Sequence, residues 1–394
     1  MRVGTRSRLS LLAVTSIAIA LGAGTTAHAV SAPFVTQTLS TPGVTTNVDL
    51  YDGNTRYGTG VAASQAAFPV AGSADAVVLA RGDVFADALS GIPLAKYKNG
   101  PLLLTPGGAS ATALNPNVQA ELIRVLPRNK QHTVYILGGV GAIPQTVEDY
   151  IRGTLGYTTI RLSGSSRFDT ALAVATDPRA LNNPQNTVVA RGDDFADALA
   201  AGPYAANPDK DANGVPAAIV LSSGSGLAGS PAALTQSTAN YLLAKFTAGQ
   251  KVLAIGGGAH TAVVALPGGA SHSTSIFGGD RYSTAASVAS AGWGTRPGLP
   301  RPAVAGIASG VSFPDALTGG AYMALKNGPI LLVDRDFLNE QARYFDEMYL
   351  GGASPTDVAV FGGPNVIDPE FSSVLLLELL GTGQSKYTDH HLPF

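Results

Sequence analysis

The chain has 394 residues, of which 45% are hydrophobic and only 13% are charged, and it contains no cysteine. The absence of cysteine excludes disulfides, cysteine nucleophiles and a lipid-modified N-terminal cysteine. The formal net charge at pH 7 is −2, which argues against nucleic acid as a partner because surfaces that bind nucleic acid are basic. The length is sufficient for two or three domains of roughly 100–200 residues each.

The N-terminal segment 1–29 has the pattern of a secretory signal peptide. Three arginines precede an apolar run, and the sequence AHA at 27–29 supplies a cleavage site of the small-x-small type. The apolar run is too short for a good membrane span. We expect the mature chain to begin at Val30, with residues 30–45 as a leader. Cleavage removes three of the 25 basic residues and none of the 27 acidic ones, which leaves a net charge of −5.

The rest of the chain is one pattern written three times, with four landmarks in the same order. The first landmark is Arg-aromatic-x-Thr, which begins at Arg56, Arg167 and Arg281. The second is an apolar run that leads into Phe-x-Asp-Ala-Leu, with equivalent aspartates at Asp87, Asp197 and Asp315. The third is an apolar run such as NGPLLLTP, and the fourth is an apolar run that ends in paired glycines. Agreement of four landmarks in order and spacing indicates tandem modules of domain size, much longer than solenoid repeats of about 20–50 residues.

Strand-like and helix-like segments alternate in the first repeat. The predicted strands are TNVDLY, AVVLA, PLLLT and TVYILGG, and the predicted helices are RYGTGVAASQAAF, FADALSGIPLAKY, NPNVQAELIRVL and PQTVEDYIRG. Asn115 is a predicted N-cap, and Pro144 falls in a first helical turn. Alternation of this kind predicts an α/β fold in which each repeat is a Rossmann-like module with a doubly wound parallel sheet. We place the modules at 46–157, 158–273 and 274–380, with a flexible tail at 381–394.

The tripeptide Arg-Gly-Asp occurs in two repeats, beginning at Arg81 and Arg191. Three interpretations compete: an adhesion tripeptide, a catalytic carboxylate pair, and a turn between a strand and a helix. The third repeat has Ser309-Gly310-Val311 at this place, so the glycine is kept and both charges are lost. This difference favours the turn. We expect the aspartates of Phe-x-Asp-Ala-Leu to support a helix start, with Asp194 and Ser312 as capping-box partners.

Ligands of parallel α/β sheets bind beyond the carboxyl ends of the strands, where the landmarks of this chain collect. Guanidinium groups suit phosphate or carboxylate, so the landmark arginines are candidate ligand contacts; pairing with an acid of the same module is the structural alternative. Paired glycines either admit a ligand to backbone amides or only turn the chain. The candidate ligand-binding residues at this edge are Arg56, Arg167, Arg281, Thr59, Thr170, Thr284, Arg81, Arg191, Gly138, Gly139, Gly256, Gly257, Gly362 and Gly363.

Evidence for catalysis is weak in this sequence. It contains no His-Glu-x-x-His, no Gly-x-Ser-x-Gly elbow after a strand, no P-loop and no dinucleotide fingerprint. The pair His390-His391 lies in the predicted tail. We therefore predict no catalytic residue, no metal and no cofactor, and an enzyme with its site in one repeat remains the alternative.

The segments RFDTALAVA, VVARGDDFADALAAGPYAA, NGPLLLTP and VYILGG together resemble the cell-wall-binding repeat 2 family of Gram-positive bacteria. The resemblance covers all three repeats. It implies Rossmann-like (Toprim-like) modules in a triangular pseudo-trimer, and a non-catalytic role in anchoring proteins to anionic wall polymers. A strand motif that the family uses in polymer binding corresponds to Leu102, Leu103, Leu104, Ile330, Leu331 and Leu332. The second repeat departs from this motif, because Ile219-Val220-Leu221 lacks the preceding Asn-Gly-Pro.

These observations predict a secreted protein that attaches non-covalently to anionic polymers of the cell wall, such as teichoic-acid-like or phosphate-bearing polysaccharides. We expect it at the cell surface, with no membrane span and no nucleic-acid partner. Two alternatives stay open. One is a wall hydrolase of the amidase type, or a modifier of such an enzyme, and the other is a self-assembling surface-layer protein.

Overall fold

The computed structural model describes residues 46–127, 131–224, 233–294, 296–334, 344–345, 357–367, 385–389 and 392. The predicted signal peptide, the leader and the pair His390-His391 lie outside these residues.

Strands and helices alternate along the described chain, as the sequence predicts. The strands are β1 (Thr46–Tyr51), β2 (Ala76–Arg81), β3 (Leu102–Thr105), β4 (Thr133–Leu137), β5 (Thr158–Leu162), β6 (Thr187–Arg191), β7 (Ala218–Ser222), β8 (Val252–Ile255), β9 (Ser273–Ile276), β10 (Val304–Ser309), β11 (Ile330–Val333), β12 (Asp357–Phe361) and β13 (Ser385–Asp389). The helices are α1 (Arg56–Ala67), α2 (Gly91–Tyr97), α3 (Pro116–Val125), α4 (Gln145–Gly153), α5 (Arg167–Thr176), α6 (Ala196–Ala206), α7 (Gln236–Thr247), α8 (Gly257–Val264), α9 (Gly269–His272), α10 (Arg281–Gly292) and α11 (Phe313–Lys326).

Three parallel sheets organise these elements. Their strand orders are β3-β2-β4-β5, β7-β6-β8-β9 and β11-β10-β12-β1-β13. The inner strands β2, β6 and β10 are short apolar runs that are almost completely buried, as expected for strands covered on both faces. The predicted fold class, three parallel-sheet α/β modules in tandem, is confirmed.

Each repeat begins with a strand that belongs to the sheet of another repeat. Strand β5 opens the second repeat but pairs with β4, and β9 opens the third repeat but pairs with β8. Strand β1 opens the first repeat and pairs with β12 of the third, from Asn47 opposite Asp357 to Tyr51 opposite Phe361. Sequence repeats and sheets are therefore offset by one strand, and the offset joins the first repeat to the last.

The predicted flexible tail contains a strand. The backbone of β13 pairs in parallel with β1, from Thr46 opposite Ser385 to Leu50 opposite Asp389. Further on, the backbone N–H of Leu392 donates to the carbonyl of Asp52. Strand β1 would otherwise present an unpaired edge, and the tail supplies partners for its backbone groups.

Helices α2, α6 and α11 follow the inner strands of the three sheets and pack against one another at the centre of the molecule. A Cβ atom at Gly202 would lie 2.4 Å from Cδ1 of Ile92, and one at Gly320 would lie 2.7 Å from the same atom. The three residues hold the same position in their repeats. One isoleucine therefore fills a space that two glycines leave open, on the approximate threefold axis of a triangular arrangement.

The helix after the inner strand begins at different places in the three repeats. Helices α6 and α11 begin near their predicted starts, and Asp197 and Asp315 lie in their first turns. Helix α2 begins only at Gly91, so Asp87 precedes it by four residues. Among the predicted caps, Asn115 accepts from two backbone amides as expected.

Candidate functional site

Three phenylalanines bring the carboxyl ends of the inner strands together. Each follows β2, β6 or β10, and their ring centroids are 5.6, 5.7 and 6.1 Å apart in a closed triangle of Phe85, Phe195 and Phe313. All three sheets therefore direct these ends towards one common region. We call this surface the carboxyl rim, defined as the turns after β2, β6 and β10, the glycine turns after β4, β8 and β12, and the residues that follow β1, β5 and β9.

The landmark arginines lie around this triangle and connect successive repeats. The guanidinium NH1 of each donates to a glycine carbonyl of its own repeat, at 2.5–2.6 Å, in the pairs Arg56–Gly82, Arg167–Gly192 and Arg281–Gly310. Each guanidinium also lies over the phenylalanine of a neighbouring repeat, at 5.9, 5.3 and 5.3 Å from the ring centroid, in the pairs Arg56–Phe313, Arg167–Phe85 and Arg281–Phe195. Stacking of this kind stabilises contacts between aromatic and cationic groups.

The three arginines differ in how their charge is balanced. Arg281 forms an ion pair with Asp194 at 3.0 Å, and this acid comes from the second repeat rather than from the repeat of Arg281 itself. The residues equivalent to Asp194 are Val84 and Ser312, which carry no charge. Within the described chain, neither Arg56 nor Arg167 has an acid within ion-pair distance. Positive charge on the rim is therefore concentrated at these two arginines.

In each Arg-Gly-Asp tripeptide the arginine forms an ion pair with the aspartate. Arg81 donates to both carboxylate oxygens of Asp83, and Arg191 donates to those of Asp193 at 3.2 and 2.9 Å. The tripeptide follows a strand and its charges are paired, which agrees with a turn and not with a free adhesion loop. In the third repeat the Ser309 hydroxyl accepts from two backbone amides of the turn and replaces the ion pair.

The glycine of this turn is required in all three repeats by an aromatic neighbour. A Cβ atom at Gly82, Gly192 or Gly310 would lie 2.6–2.9 Å from the ring that follows the landmark arginine, in the pairs Gly82–Tyr57, Gly192–Phe168 and Gly310–Tyr282. Such distances are too short for any side chain. The ring therefore explains why the glycine is kept where the charges are not.

The carboxylates of Phe-x-Asp-Ala-Leu lie at the rim facing the glycine turns, with Asp315 buried and Asp87 and Asp197 partly buried. Burial raises the pKa of Asp197 and of Asp315 to about 6. A Cβ atom at Gly256 would lie 2.0 Å from Oδ2 of Asp197, and one at Gly362 would lie 2.9 Å from Oδ2 of Asp315. The predicted capping boxes are wrong, since neither α6 nor α11 has a side-chain hydrogen bond at its N-cap. Oδ1 of Asp194 accepts from the adjacent backbone N–H of Phe195, and Oδ2 accepts from Arg281.

The landmark threonines are buried and have partners within the protein. The hydroxyls of Thr170 and Thr284 accept from the backbone amides of Gly164 and Gly278. The third threonine, Thr59, hydrogen-bonds the carboxyl of Asp315 in another repeat and so holds the pKa of that carboxyl lower than burial alone would. All three side chains thus fix turns and contacts between repeats.

The six aliphatic residues of the strand motif lie in the sheet interior. None is more than 2% exposed: Leu102, Leu103, Leu104, Ile330, Leu331 and Leu332. The Asn-Gly-Pro that precedes them ends a helix, with Asn99 and Asn327 in the left-handed region at φ 48° and 54°. A Cβ atom at Gly100 would lie 1.9 Å from the carbonyl oxygen of Ala76, so the turn admits only glycine. These side chains have no surface for a ligand, and we leave them out of the proposed contact set.

The paired glycines divide into a structural and an open member. The first of each pair has a positive φ, from 95° to 120°, at Gly138, Gly256 and Gly362. The second is open in two pairs: no atom lies within 4 Å of a Cβ built at Gly139, and the nearest neighbour at Gly257 is 3.9 Å away. At Gly363 the Oδ2 atom of Asp52 lies 3.3 Å from the Cβ position, which is a tight contact. A ligand can therefore reach the backbone at Gly139 and Gly257.

Apolar side chains are exposed on the same rim. They are 37–62% exposed and lie in the turns after β2, β4, β9 and β10, as Val84, Val140, Phe277 and Val311. These residues and the phenylalanine triangle are not among the site residues predicted from the sequence. The phenylalanine was available as a signal, because it precedes the landmark aspartate by two residues in every repeat. Apolar residues grouped with charged ones at a surface are typical of interaction sites.

The described residues contain no group of three His, Cys, Asp or Glu side chains placed to hold a metal ion. None of the helices in the described part of the chain is both long and apolar enough to cross a membrane.

The fold and the rim define a class of protein, a tandem three-module α/β protein in which side chains from successive repeats meet on one surface. The family described as Cell wall binding domain 2 (CWB2) matches this chain at residues 51–148, 161–262 and 275–372. The chain belongs to this family, and the resemblance found in the sequence is confirmed. It contains three tandem repeats of this family.

Similar proteins come from two Gram-positive bacteria. The N-acetylmuramoyl-L-alanine amidase LytC of Bacillus subtilis is 27% identical over 84% of this chain and 58% of its own length. The amidase enhancer of the same organism is 31% identical over 40% of this chain and 20% of its own length. This chain thus spans less than two thirds of either relative. Among solved structures, Cwp8 and Cwp6 from Clostridium difficile have TM-scores of 0.66 and 0.64 at 22% and 21% identity, and cover 85% and 84% of this chain and 52% and 48% of their own chains.

Proposed function

We propose that the protein is secreted, does no chemistry, and attaches non-covalently to anionic polymers of the cell wall through the carboxyl rim. The expected ligand is a teichoic-acid-like or other phosphate-bearing polysaccharide, and the expected location is the wall or the cell surface. Contacts would come from Arg56 and Arg167, from Gly139 and Gly257 in the glycine turns, and from Arg81 and Arg191 at the turn.

The uneven charge balance of the landmark arginines carries this proposal. Arg281 has a carboxylate partner, whereas Arg56 and Arg167 retain a guanidinium without an ion-pair partner in the described chain. A guanidinium binds phosphate oxygens with parallel hydrogen bonds. Since the expected mature charge is −5, with 22 basic and 27 acidic residues after cleavage, attraction to an anion depends on such local sites rather than on the net field.

A non-catalytic role is favoured by how the rim carboxylates are used. Asp83 and Asp193 are paired with arginines, and Asp197 and Asp315 face glycine turns. Their partners thus lie within the protein. The relatives named for amidase activity or its enhancement are longer than this chain, which spans 58% and 20% of their lengths.

The test is co-sedimentation of the mature protein with purified Gram-positive walls before and after removal of their anionic polymers. We expect strong pelleting with intact walls, loss of pelleting with stripped walls, and weakening by salt. The double variant Arg56→Gln/Arg167→Gln should pellet several-fold less, with unfolding midpoints recorded for each protein. Arg152→Gln, an exposed arginine near the end of α4, is the matched control.

Equal pelleting with intact and stripped walls would remove the anionic polymer as the ligand. Release of peptide or reducing sugar from walls by the purified protein would support the hydrolase alternative instead. Ordered arrays that form without wall would support a surface-layer protein.

A further inference from the structure

The second sheet carries an exposed aromatic ring on the rim that the other two sheets lack. Phe277 follows β9 and is 46% exposed. Counting back from the landmark arginine, the equivalent residues are Asp52 and Ser163, both small and polar. A phenyl ring left nearly half exposed costs free energy in water, because its apolar surface stays hydrated. Its presence in one repeat therefore needs a reason other than the fold that all three share.

A histidine supports this ring from the neighbouring helix. The imidazole of His260, in the first turn of α8, packs against the phenyl group with 5.4 Å between ring centroids and 32° between ring planes. Its Nδ1 is buried and has no hydrogen-bond partner among the described residues, so the imidazole acts here as a packing surface. Counting from the first paired glycine, the equivalent residues in the other repeats are Ala142 and Val366. Two residues in contact thus differ together from both other repeats.

Charged groups lie on the other side of an open backbone segment. A Cβ atom at Gly257 would lie 3.9 Å from Cδ2 of Phe277, and one at Gly258 would lie 2.9 Å from Cδ of Arg191. These two glycines therefore separate the aromatic ring from the Arg191–Asp193 ion pair. The side chain of Asp193 is 39% exposed, so the pair presents donors and acceptors side by side to an adjacent ligand.

An aromatic face beside paired donors and acceptors matches the chemistry of a sugar ring. One face of a pyranose carries C–H groups that are attracted to the negative face of an aromatic ring, and its edge carries hydroxyls that both donate and accept. An inorganic anion has no such face. A peptide side chain would need a closed apolar pocket, whereas the backbone beside the ring at Gly257 has no neighbour closer than 3.9 Å to a Cβ position.

The geometry points to a saccharide subsite at the edge of the second sheet, in which Phe277 stacks on a pyranose ring of a wall polysaccharide and Arg191 and Asp193 bind its hydroxyls. His260 is a positioning residue that holds the phenyl ring. The subsite deepens the proposed wall-binding function and rests on it, since it names sugar rings of the same polymer as the ligand. It assigns sugar recognition to one sheet out of three.

The test uses the mature chain and polysaccharide released from purified walls by mild acid. The chain's single tryptophan, Trp293, is buried, so Phe277→Trp adds a second, exposed indole as a fluorescent reporter. We expect its emission to shift in a saturable way as polysaccharide is added. Phe277→Ser introduces the residue found at the equivalent position of the first sheet, Ser163. This variant should bind intact walls about fivefold more weakly, because the contact of roughly half a phenyl ring is lost. Val264→Ser, an exposed apolar residue at the far end of α8, is the control.

Failure of the subsite and failure of wall binding give different results. If the unchanged protein pellets with walls and Phe277→Ser pellets equally well, the subsite is wrong and the wall-binding proposal stands. If the unchanged protein does not pellet, wall binding is wrong, and the emission titration alone decides the subsite. An equal emission shift with inorganic polyphosphate would show an ionic contact and overturn sugar stacking. His260→Ala should weaken binding less than Phe277→Ser, and an equal loss would contradict its positioning role.

Discussion

Replacement of Asp315 by asparagine should change how stability depends on pH. Burial raises the pKa of this carboxyl to about 6, against 3.8 for the free group, while the Thr59 hydrogen bond and the charge of Arg56 lower it and Asp52 raises it. Between these two values the unfolded chain releases its proton while the folded protein keeps it. Stability from this group is therefore greatest below about pH 4 and falls as pH rises to about 6.

The size of the effect follows from the shift. About two pH units at 1.4 kcal/mol each give roughly 3 kcal/mol that the wild-type protein loses between acid and neutral pH. Asparagine stays neutral and loses nothing. Any free-energy cost of placing the asparagine amide in this site is the same at both pH values, so it cancels when the two free energies of unfolding are subtracted. The free energy of unfolding of Asp315→Asn, relative to wild type, should therefore be about 3 kcal/mol more favourable at about pH 7.5 than at about pH 3.5.

Urea unfolding measures this difference, with far-UV circular dichroism and the fluorescence of the buried Trp293 as two independent signals. The control is Asp149→Asn, which removes an exposed carboxylate of the Arg152 ion pair and should change the pH dependence by less than about 0.5 kcal/mol. A difference below about 1 kcal/mol for Asp315→Asn would show that the carboxyl is hydrated in the folded protein and that our account of the rim is wrong.

Two further predictions concern contacts that all three repeats share. Ile92→Ala should destabilise the protein by about 3 kcal/mol, because one side chain fills the space beside both Gly202 and Gly320. Chemical unfolding measures this loss. A loss below about 1 kcal/mol would mean that the three helices close the space left by the removed side chain. Gly192→Ala should destabilise the protein by about 1–3 kcal/mol, because its methyl group would lie 2.9 Å from Cε1 of Phe168. Thermal unfolding measures this, with Gly153→Ala as the control because no atom lies within 4 Å of a Cβ there. Equal unfolding midpoints for the two variants would contradict the contact.

Much of the fold could be predicted from local patterns in the sequence. Short apolar runs followed by amphipathic segments gave the alternation of strands and helices, and Asn115 before a proline gave a correct N-cap. In Ser309-Gly310-Val311 the glycine is kept although both charged neighbours are lost, and this pattern predicted a turn. The ring of Tyr282, which packs against Gly310, supplies the physical reason. These features depend on residues close in sequence, or on comparison of one repeat with another.

Features that depend on contacts between repeats could not be predicted in the same way. The pattern of β1 is the same whether it pairs within its own repeat or with β12, because pairing partners leave no trace in hydrophobic periodicity. Pairing with an acid of the same module is the structural alternative for Arg281, and its partner is instead Asp194 of the preceding module. The capping box predicted at Asp194 does not form, because one carboxylate oxygen accepts from the adjacent N–H of Phe195 and the other from Arg281 of the next repeat.

The residues common to the three repeats and those that differ therefore have different explanations. The arginines of the first landmark and the phenylalanine triangle have contacts that hold one repeat against the next, so threefold assembly accounts for their recurrence. The turn glycines recur because each packs against an aromatic ring of its own repeat. Neither reason explains Phe277 with His260, or why only Arg281 among the landmark arginines has an ion-pair partner within the described residues. A polymer bound as proposed would meet each repeat at a different point along its length, so selection for binding would act on the repeats separately. Specificity for a wall polymer should therefore be sought where the repeats differ, and exchanging Phe277 for the serine of a sister repeat tests this more directly than changing any residue that all three share.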